Sequence, residues 1–305
     1  MKFLLLSDIH LTWENPVCRL DNLVEVQFEK LKYAFDYALE EGCVICQAGD
    51  FFHKPRSWGL LPKVIDFFQS YYEEAIDIYG VYGQHDMYMY SENREGTNLG
   101  ILEKYGLVNI VENRKEEHLG SYVVYGCSYG GEIPEVMNSG TFNILAIHAP
   151  ILDTKLWATQ GHYWDAKMFL SKHKEFSLIL CGDIHQRFLH QDREGRIICN
   201  TGPMLRMAAT EYNMEHKPGF YIYDTESKEI DWHEIPHQPA EDVISREHLE
   251  RAKEKEEMMK EFTEGVMDQE IKGNSFEDNL KALVEREEVG DNVKAILGRV
   301  MEDNG

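Results

Sequence analysis

The chain has 305 residues, 43% of them hydrophobic and 28% charged, which is enough apolar material for a substantial core and an ordinary balance for a globular protein. A net charge of −23 excludes a general nucleic-acid binder that works through a basic face of its own. No apolar run approaches the ~18 residues of a membrane span, and "FLLLS" after Met1-Lys2 is too short for a signal peptide, so a cytoplasmic chain with no membrane partner is expected.

Strand-like and helical patterns alternate through the first half. "FLLLS" leads into a helical pattern over 22–41, with Leu23, Val26, Leu31, Ala34, Phe35 and Ala38 on one stripe. "CVICQ" follows, then a helix over 60–72 and the strand run "AIDIYGVYG". Cys43 and Cys46 form C-x-x-C, but within a strand positions three apart face opposite sides, so core thiols are expected rather than a redox or zinc pair. Later strands read "SYVVYG", "FNILAIHA", "FSLILCGD", "RIICNTG", "GFYIYD" and "EIDWHEI". An α/β (α+β) fold follows, with two mixed β-sheets packed face to face and flanked by helices.

Composition changes at "IPHQPAEDV", which divides the chain into a domain over 1–240 and an acidic helical segment over 241–305. From Glu241 onward 19 acidic residues face 10 basic ones, so this segment carries −9 of the charge and the first 240 residues carry −14. Residues 245–270 show a thin apolar stripe of Leu249, Ala252, Met259, Phe262 and Val266. Asn274-Ser275 and Asp291 read as caps of two further helices, the last with Val293, Ile296, Leu297, Val300 and Met301 on one face. Such faces either pack back on the main domain or dock on a partner protein.

Five polar clusters each follow an apolar strand: Asp8-x-His10, Gly49-Asp50 with His53, Gly83-Gln84-His85-Asp86, His148, and Asp183-x-His185. Loops at the carboxyl ends of strands are where α/β sheets place their ligands. Residues i and i+2 of a strand face the same way, so each D-x-H pair is expected to converge on one side. Carboxylates mixed with imidazoles suit a two-metal centre, which clamps a phosphate ester and generates hydroxide from water.

"SDIHL", "GDFFH", "GQHD", "IHAP" and "GDIHQ", in that order, resemble the signature D-x-H, G-D, G-N-H-D, H and G-H-x-H of the calcineurin-like metallophosphoesterases. "GDFFH" resembles the DNA repair nuclease branch, and "CNTGPMLRMAATEYNMEHKPGFYIYD" resembles the segment after the last metal motif in SbcD-type exonuclease subunits, including phage versions. The resemblance implies the four-layer metallophosphoesterase fold. It implies that Asp8, His10 and His185 hold a first metal, that Asp50 bridges, and that Gln84, His148 and Asp183 complete a second site. It also implies that His85 protonates the leaving oxygen and that His53 positions the phosphate; Asp86 either orients His85 or caps the turn.

Two positions depart from the family pattern, and both fall on the second metal: Gln84 replaces Asn and Asp183 replaces His. Oxygen-richer ligation favours Mn²⁺, with Mg²⁺ next, over Zn²⁺. The expected function is a Mn-dependent DNA nuclease subunit working with an SMC-like ATPase of the SbcC type in DNA repair, recombination or phage DNA processing. The C-terminal helices would dock on that ATPase, and the family often forms homodimers. Lys54, Arg56, Arg187 and Arg206 lie near the site in sequence as candidates for phosphate contact. The same motifs would serve a stand-alone phosphoesterase acting on a nucleotide or phosphoprotein, or survive in an inactive scaffold of the same fold.

Overall fold

The structure, a computed structural model, describes residues 1–91, 93–112, 116–136, 141–154 and 163–267; the side chains of 116–118 and 261–267 lie outside that description, as do the expected caps at Asn274-Ser275 and Asp291. The chain divides into two units, Met1–Ser245 and Arg246–Gly305.

In the first unit, strands β1 (Lys2–Leu6), β2 (Cys43–Gln47), β3 (Ile78–Gly80) and β4 (Asn109–Ile110) run parallel. A second sheet holds β5 (Glu116–Leu119), β6 (Tyr122–Cys127) and β7 (Phe142–His148). Among the described residues, the short β8 (Ile151–Leu152) and β9 (Trp164–Asp165) pair with each other. The second sheet continues with β10 (Leu178–Gly182), β11 (Phe188–Gln191) and β12 (Ile197–Asn200), while β13 (Gly219–Asp224) and β14 (Glu229–Glu234) return to the first. The strand orders are β14-β13-β1-β2-β3-β4 and β11-β12-β10-β7-β6-β5. Each sheet therefore keeps a parallel centre with antiparallel strands at an edge, the two packed mixed sheets that the sequence pattern predicts.

Pleat alternation sorts the core into layers. Phe3 and Leu5 of β1 join Cys46, Val124, Ile144, Leu178, Leu180 and Cys199 between the two sheets. Leu4 and Leu6 face the other way, with Cys43 and Ile45, against α1 (Leu23–Glu41), α2 (Leu61–Glu73) and α3 (Asn98–Lys104). The outer face of the second sheet, through Leu145, Ile147 and Ile179, packs on Ala166, Phe169 and Leu170 of α4 (Ala166–Lys172). Cys43 and Cys46 thus lie in different layers, and all six cysteines are free and buried.

Two short helices, α5 (Glu211–Glu215) and α6 (Ala240–Val243), complete this unit; Ala240, Val243 and Ile244 pack with Cys18 and Ala209. The described part of the second unit is the acidic helix α7 (Glu247–Met267), on which Leu249, Met258 and Met259 are exposed. Among the described residues no helix is long and apolar enough to cross a membrane.

Register is what positions the site. Leu6, Gln47 and Gly80 stand level at the carboxyl ends of β1, β2 and β3, and His148 stands level with Gly182 across β7 and β10.

Candidate metal centre

The loops leaving these strand ends interlock. His10 N–H donates to Asp50 O at 2.9 Å, Leu11 N–H to Phe51 O at 2.8 Å, and His53 N–H back to Leu11 O at 3.0 Å. Asp8 (φ 51°), His10 (φ 52°), Asp50 (φ 54°) and Asp183 (φ 91°) all adopt backbone that non-glycine residues avoid. The expected route to convergence, the strand pleat, is therefore incorrect: β1 ends at Leu6 and β10 at Gly182, so both D-x-H pairs lie in turns beyond their strands. Four left-handed residues at one place are strain that the surrounding hydrogen bonds hold in position.

Close packing of these loops depends on glycines, Gly83 and Gly182 among them. A Cβ on Gly83 would fall 2.0 Å from Asp50 Oδ1, and one on Gly182 would fall 2.3 Å from Ala48 O and 2.9 Å from His148 Nδ1. Four supporting residues escaped the sequence reading. Gln47 brackets the Asp50 turn, donating to Gly49 O and accepting from Gly49 N–H, both at 2.6 Å. Ser7 N–H donates to Thr201 Oγ1 at 2.9 Å, and Asn200 Nδ2 donates to Ile184 O at 2.8 Å, tying the first loop to the one that carries Asp183 and His185. "CNTG" is itself a polar cluster after an apolar strand, the same signal that marked the other five.

Seven side chains meet here. His10 Nε2 and His185 Nε2 lie 2.9 Å apart, and Asp8 Oδ1 is 3.7 Å from His185 Nε2. Asp50 Oδ2 lies 3.6 Å from His10 Nε2 on one side and 3.5 Å from His148 Nε2 on the other. Gln84 Oε1 lies 2.7 Å from His148 Nε2, and Gln84 Nε2 donates to Asp183 Oδ1 at 2.7 Å. Two of the resulting groups able to hold an ion are Asp8-His10-His185 and Asp8-Asp50-His148.

The donor set fits divalent cations. Asp8 Oδ2 and Asp50 Oδ2 are buried acceptors with no hydrogen-bond donor, a costly arrangement unless a cation faces them. Adjacent ligands on one ion with bonds of about 2.1 Å stand about 3 Å apart, close to the facing pairs His10–His185 and His148–Gln84. His148 Nδ1 lies 2.6 Å from Ala48 O, so both ring nitrogens face oxygen acceptors; only an imidazolium or a metal-bound ring satisfies both.

Electrostatics agree. Burial alone would raise the Asp50 carboxyl, but the nearby imidazoles of His148 and His10 take it down to about 2. Burial would lower His148, yet the Asp50 and Asp8 carboxylates push it up to about 10, so the ring itself carries positive charge between them and an ion binding there must displace its proton. Burial also holds His10 well below the usual imidazole range, which leaves it neutral and ready to ligate.

His85 and His53 stand beside this group. Their rings stack 5.3 Å apart, and His85 N–H donates to Asp50 Oδ1 at 2.9 Å. His85 Nδ1 faces His53 O at 2.8 Å; a carbonyl only accepts, so Nδ1 carries the proton and Nε2 is left available. His53 Nδ1 is buried without a partner. Asp86, grouped in the sequence with the catalytic residues, does different work. Its carboxylate accepts from the backbone N–H groups of Phe52 (2.9 Å), Gly83 (3.0 Å) and Phe51 (3.2 Å), so it closes the turn instead of steering the His85 ring.

The basic candidates are engaged elsewhere. Lys54 pairs with Glu14 at 2.6 Å, Arg56 donates to Gly96 O at 3.0 Å, and the Arg187 guanidinium lies over Trp232 at 4.3 Å. Arg206 is buried and donates to Gln238 O at 2.5 Å, which removes it from any phosphate-facing surface.

Residues 1–187 match a family model described as calcineurin-like phosphoesterase. No curated protein matches the sequence. Among solved structures, the chain is similar to a novel archaeal phosphodiesterase at 13% identity and a TM-score of 0.40, over 77% of this chain and 99% of that one. It is also similar to a dimetal phosphatase from Danio rerio at 13% identity and a TM-score of 0.45, over 73% of this chain and 91% of that one.

Proposed function

This chain belongs to the calcineurin-like phosphoesterase family, metal-dependent hydrolases of phosphoester bonds, and from that premise we propose that it is a manganese-dependent DNA nuclease subunit. The observation that carries the two-metal reading is Asp50 Oδ2, an orphaned acceptor placed between His10 Nε2 and His148 Nε2 at nearly equal distances. In this reading Asp8, His10 and His185 hold one ion, Gln84, His148 and Asp183 hold the other, and Asp50 bridges. The Asp183 carboxylate and Gln84 amide oxygen make the second site oxygen-rich, which favours manganese, with magnesium next.

Divalent ions held there would polarise a phosphoryl oxygen and lower the pKa of a water. The chain's own residues do the rest. His85, its Nδ1–H held by His53 O, would act in its doubly protonated form, with Nε2–H turned to the leaving oxygen and giving up its proton as the P–O bond breaks. His53, stacked on His85 and in edge contact with His10, lines the phosphate's approach. The "GDFFH" string, which places His53 in this stack, is the support for a nuclease over a small-substrate phosphatase.

An acidic chain whose nearby cations are already engaged gains DNA affinity from a partner. We assign that role to an SMC-like ATPase, with the segment beyond Ser245 docking on it, since residues 241–245 pack in the first unit; its acidic, amphipathic pattern is the support.

The test is incubation of labelled duplex and single-stranded DNA with the protein and Mn²⁺, beside His85→Gln. Wild type degrades DNA, and the variant is slower by about 10²–10⁴-fold while still binding metal. Equal rates would remove His85 from its role. Failure to cut any DNA, with good turnover of a small chromogenic diester, would favour a stand-alone phosphoesterase.

A further inference from the structure

We propose that Tyr88, Met89, Tyr90 and Tyr129 form a stacking platform for the bases of single-stranded DNA beside the metal centre, an inference that rests on the nuclease reading. The platform begins directly after the Gln84–Asp86 turn. Met87 is buried and anchors the segment, and the next three side chains are turned outward: Tyr88 is 43%, Met89 78% and Tyr90 69% exposed. Met89 (φ 51°) and Tyr90 (φ 54°) both hold left-handed backbone, an unfavourable conformation spent on presenting large apolar groups to solvent.

The exposed rings connect to the site. Tyr90 lies 6.1 Å from Tyr129, and Tyr129 meets His148 edge-to-face at 6.2 Å. Tyr129 N–H donates to Tyr82 O at 2.8 Å, which fixes its backbone beside the β3 end. On the outer side the Arg56 guanidinium covers the Tyr88 ring at 4.0 Å and is itself held by Gly96 O. A chain of ring contacts therefore runs from His148, a proposed metal ligand, through Tyr129 to the exposed Tyr90, with Tyr88 beside it in sequence under Arg56.

The ring faces, more than charge, select the occupant. Residues 1–240 carry −14, Lys54 pairs with Glu14 and Arg206 is buried on Gln238 O, which leaves Arg56 and Arg187, each lying over an aromatic ring with its charge intact, to meet phosphates. Stacking needs no positive surface and tolerates any base, because every base has a π-face. A duplex hides those faces, so the partner is a single strand or an opened end. An exposed apolar patch also suits a protein, and the test separates the two.

The experiment uses the full chain and a short single strand carrying 2-aminopurine, whose fluorescence is quenched by stacking, with Ca²⁺ replacing Mn²⁺ to hold back cleavage. Wild type is expected to quench saturably, Tyr90→Ala to bind about tenfold more weakly, and Tyr90→Trp to restore binding. With Mn²⁺, the wild-type advantage over Tyr90→Ala should shrink to about one on a strand with abasic sites flanking the cut. Equal binding by wild type and Tyr90→Ala, or no quenching, overturns the platform even if DNA is cut, and would assign the rings to a protein partner. Tyr90-dependent quenching without any cleavage in Mn²⁺ would leave the platform standing and remove the nuclease reading.

Discussion

The Asp50 and Asp86 carboxylates sit within one group of loops, both fully buried, and their partners separate their roles. Asp50 keeps one oxygen on His85 N–H and leaves the other facing two imidazoles, which is how a bridging ligand is prepared. Asp86 spends both oxygens on three backbone amides, which is how a turn is locked. Asp86→Ala strands three buried donors and should destabilise the fold by about 3 kcal/mol or more in urea unfolding. Unchanged stability with lost turnover would return Asp86 to the catalytic set. The residue identities at the site were legible in the sequence because each polar cluster follows an apolar strand. Their roles were less so: nothing in "GQHD" shows that its carboxylate folds back onto Phe51, Phe52 and Gly83, contacts that arise only when two loops distant in sequence pack together.

Among the elements, α1 shows where pattern reading stopped. Of its expected stripe Leu23, Leu31, Ala34, Phe35 and Ala38 are buried as periodicity predicts and Val26 is only half-buried, but Gln27 and Lys30 are buried as well. These two secure the site from beneath: Gln27 bonds both the N–H and C=O of Thr12, at 2.9 and 2.8 Å, and Lys30 donates to Met204 O at 3.1 Å. A polar residue on a helix reads as solvent-facing until the loop above it is placed, so hydropathy missed both. Short elements such as β11 and α4 were missed for a related reason, since four to seven residues carry too little periodicity. Burial, reinforced by Arg206 and Arg19, lowers Lys30 from 10.5 to about 7. Between those values the unfolded chain binds the proton that the folded chain has released, so stability rises with pH across that window and is lowest below it. Lys30→Met should flatten this rise, by a few kcal/mol between pH 7 and 10. Parallel pH–stability curves for the two proteins would contradict it.

For the whole molecule, the four-layer arrangement sets parallel strand ends from two sheets against each other, and that is why five separate motifs make one site. An alternating first half followed by a strand-rich second half was enough to anticipate two sheets, and the strand pleat was enough to anticipate the opposite placement of Cys43 and Cys46. The charge of −23 has a functional consequence. Alone, the chain should bind single-stranded DNA with a shallow salt dependence, releasing no more than about two ions in a plot of log affinity against log salt. A steep slope would reveal a basic track that the paired Lys54 and the buried Arg206 do not provide. The central claim, two ions bridged by Asp50, is tested most directly by Mn²⁺ titration followed by bound-metal analysis and electron paramagnetic resonance. Two equivalents per chain with the coupled spectrum of a bridged pair are expected; one equivalent at saturation, or two magnetically independent ions, would rule out the bridge.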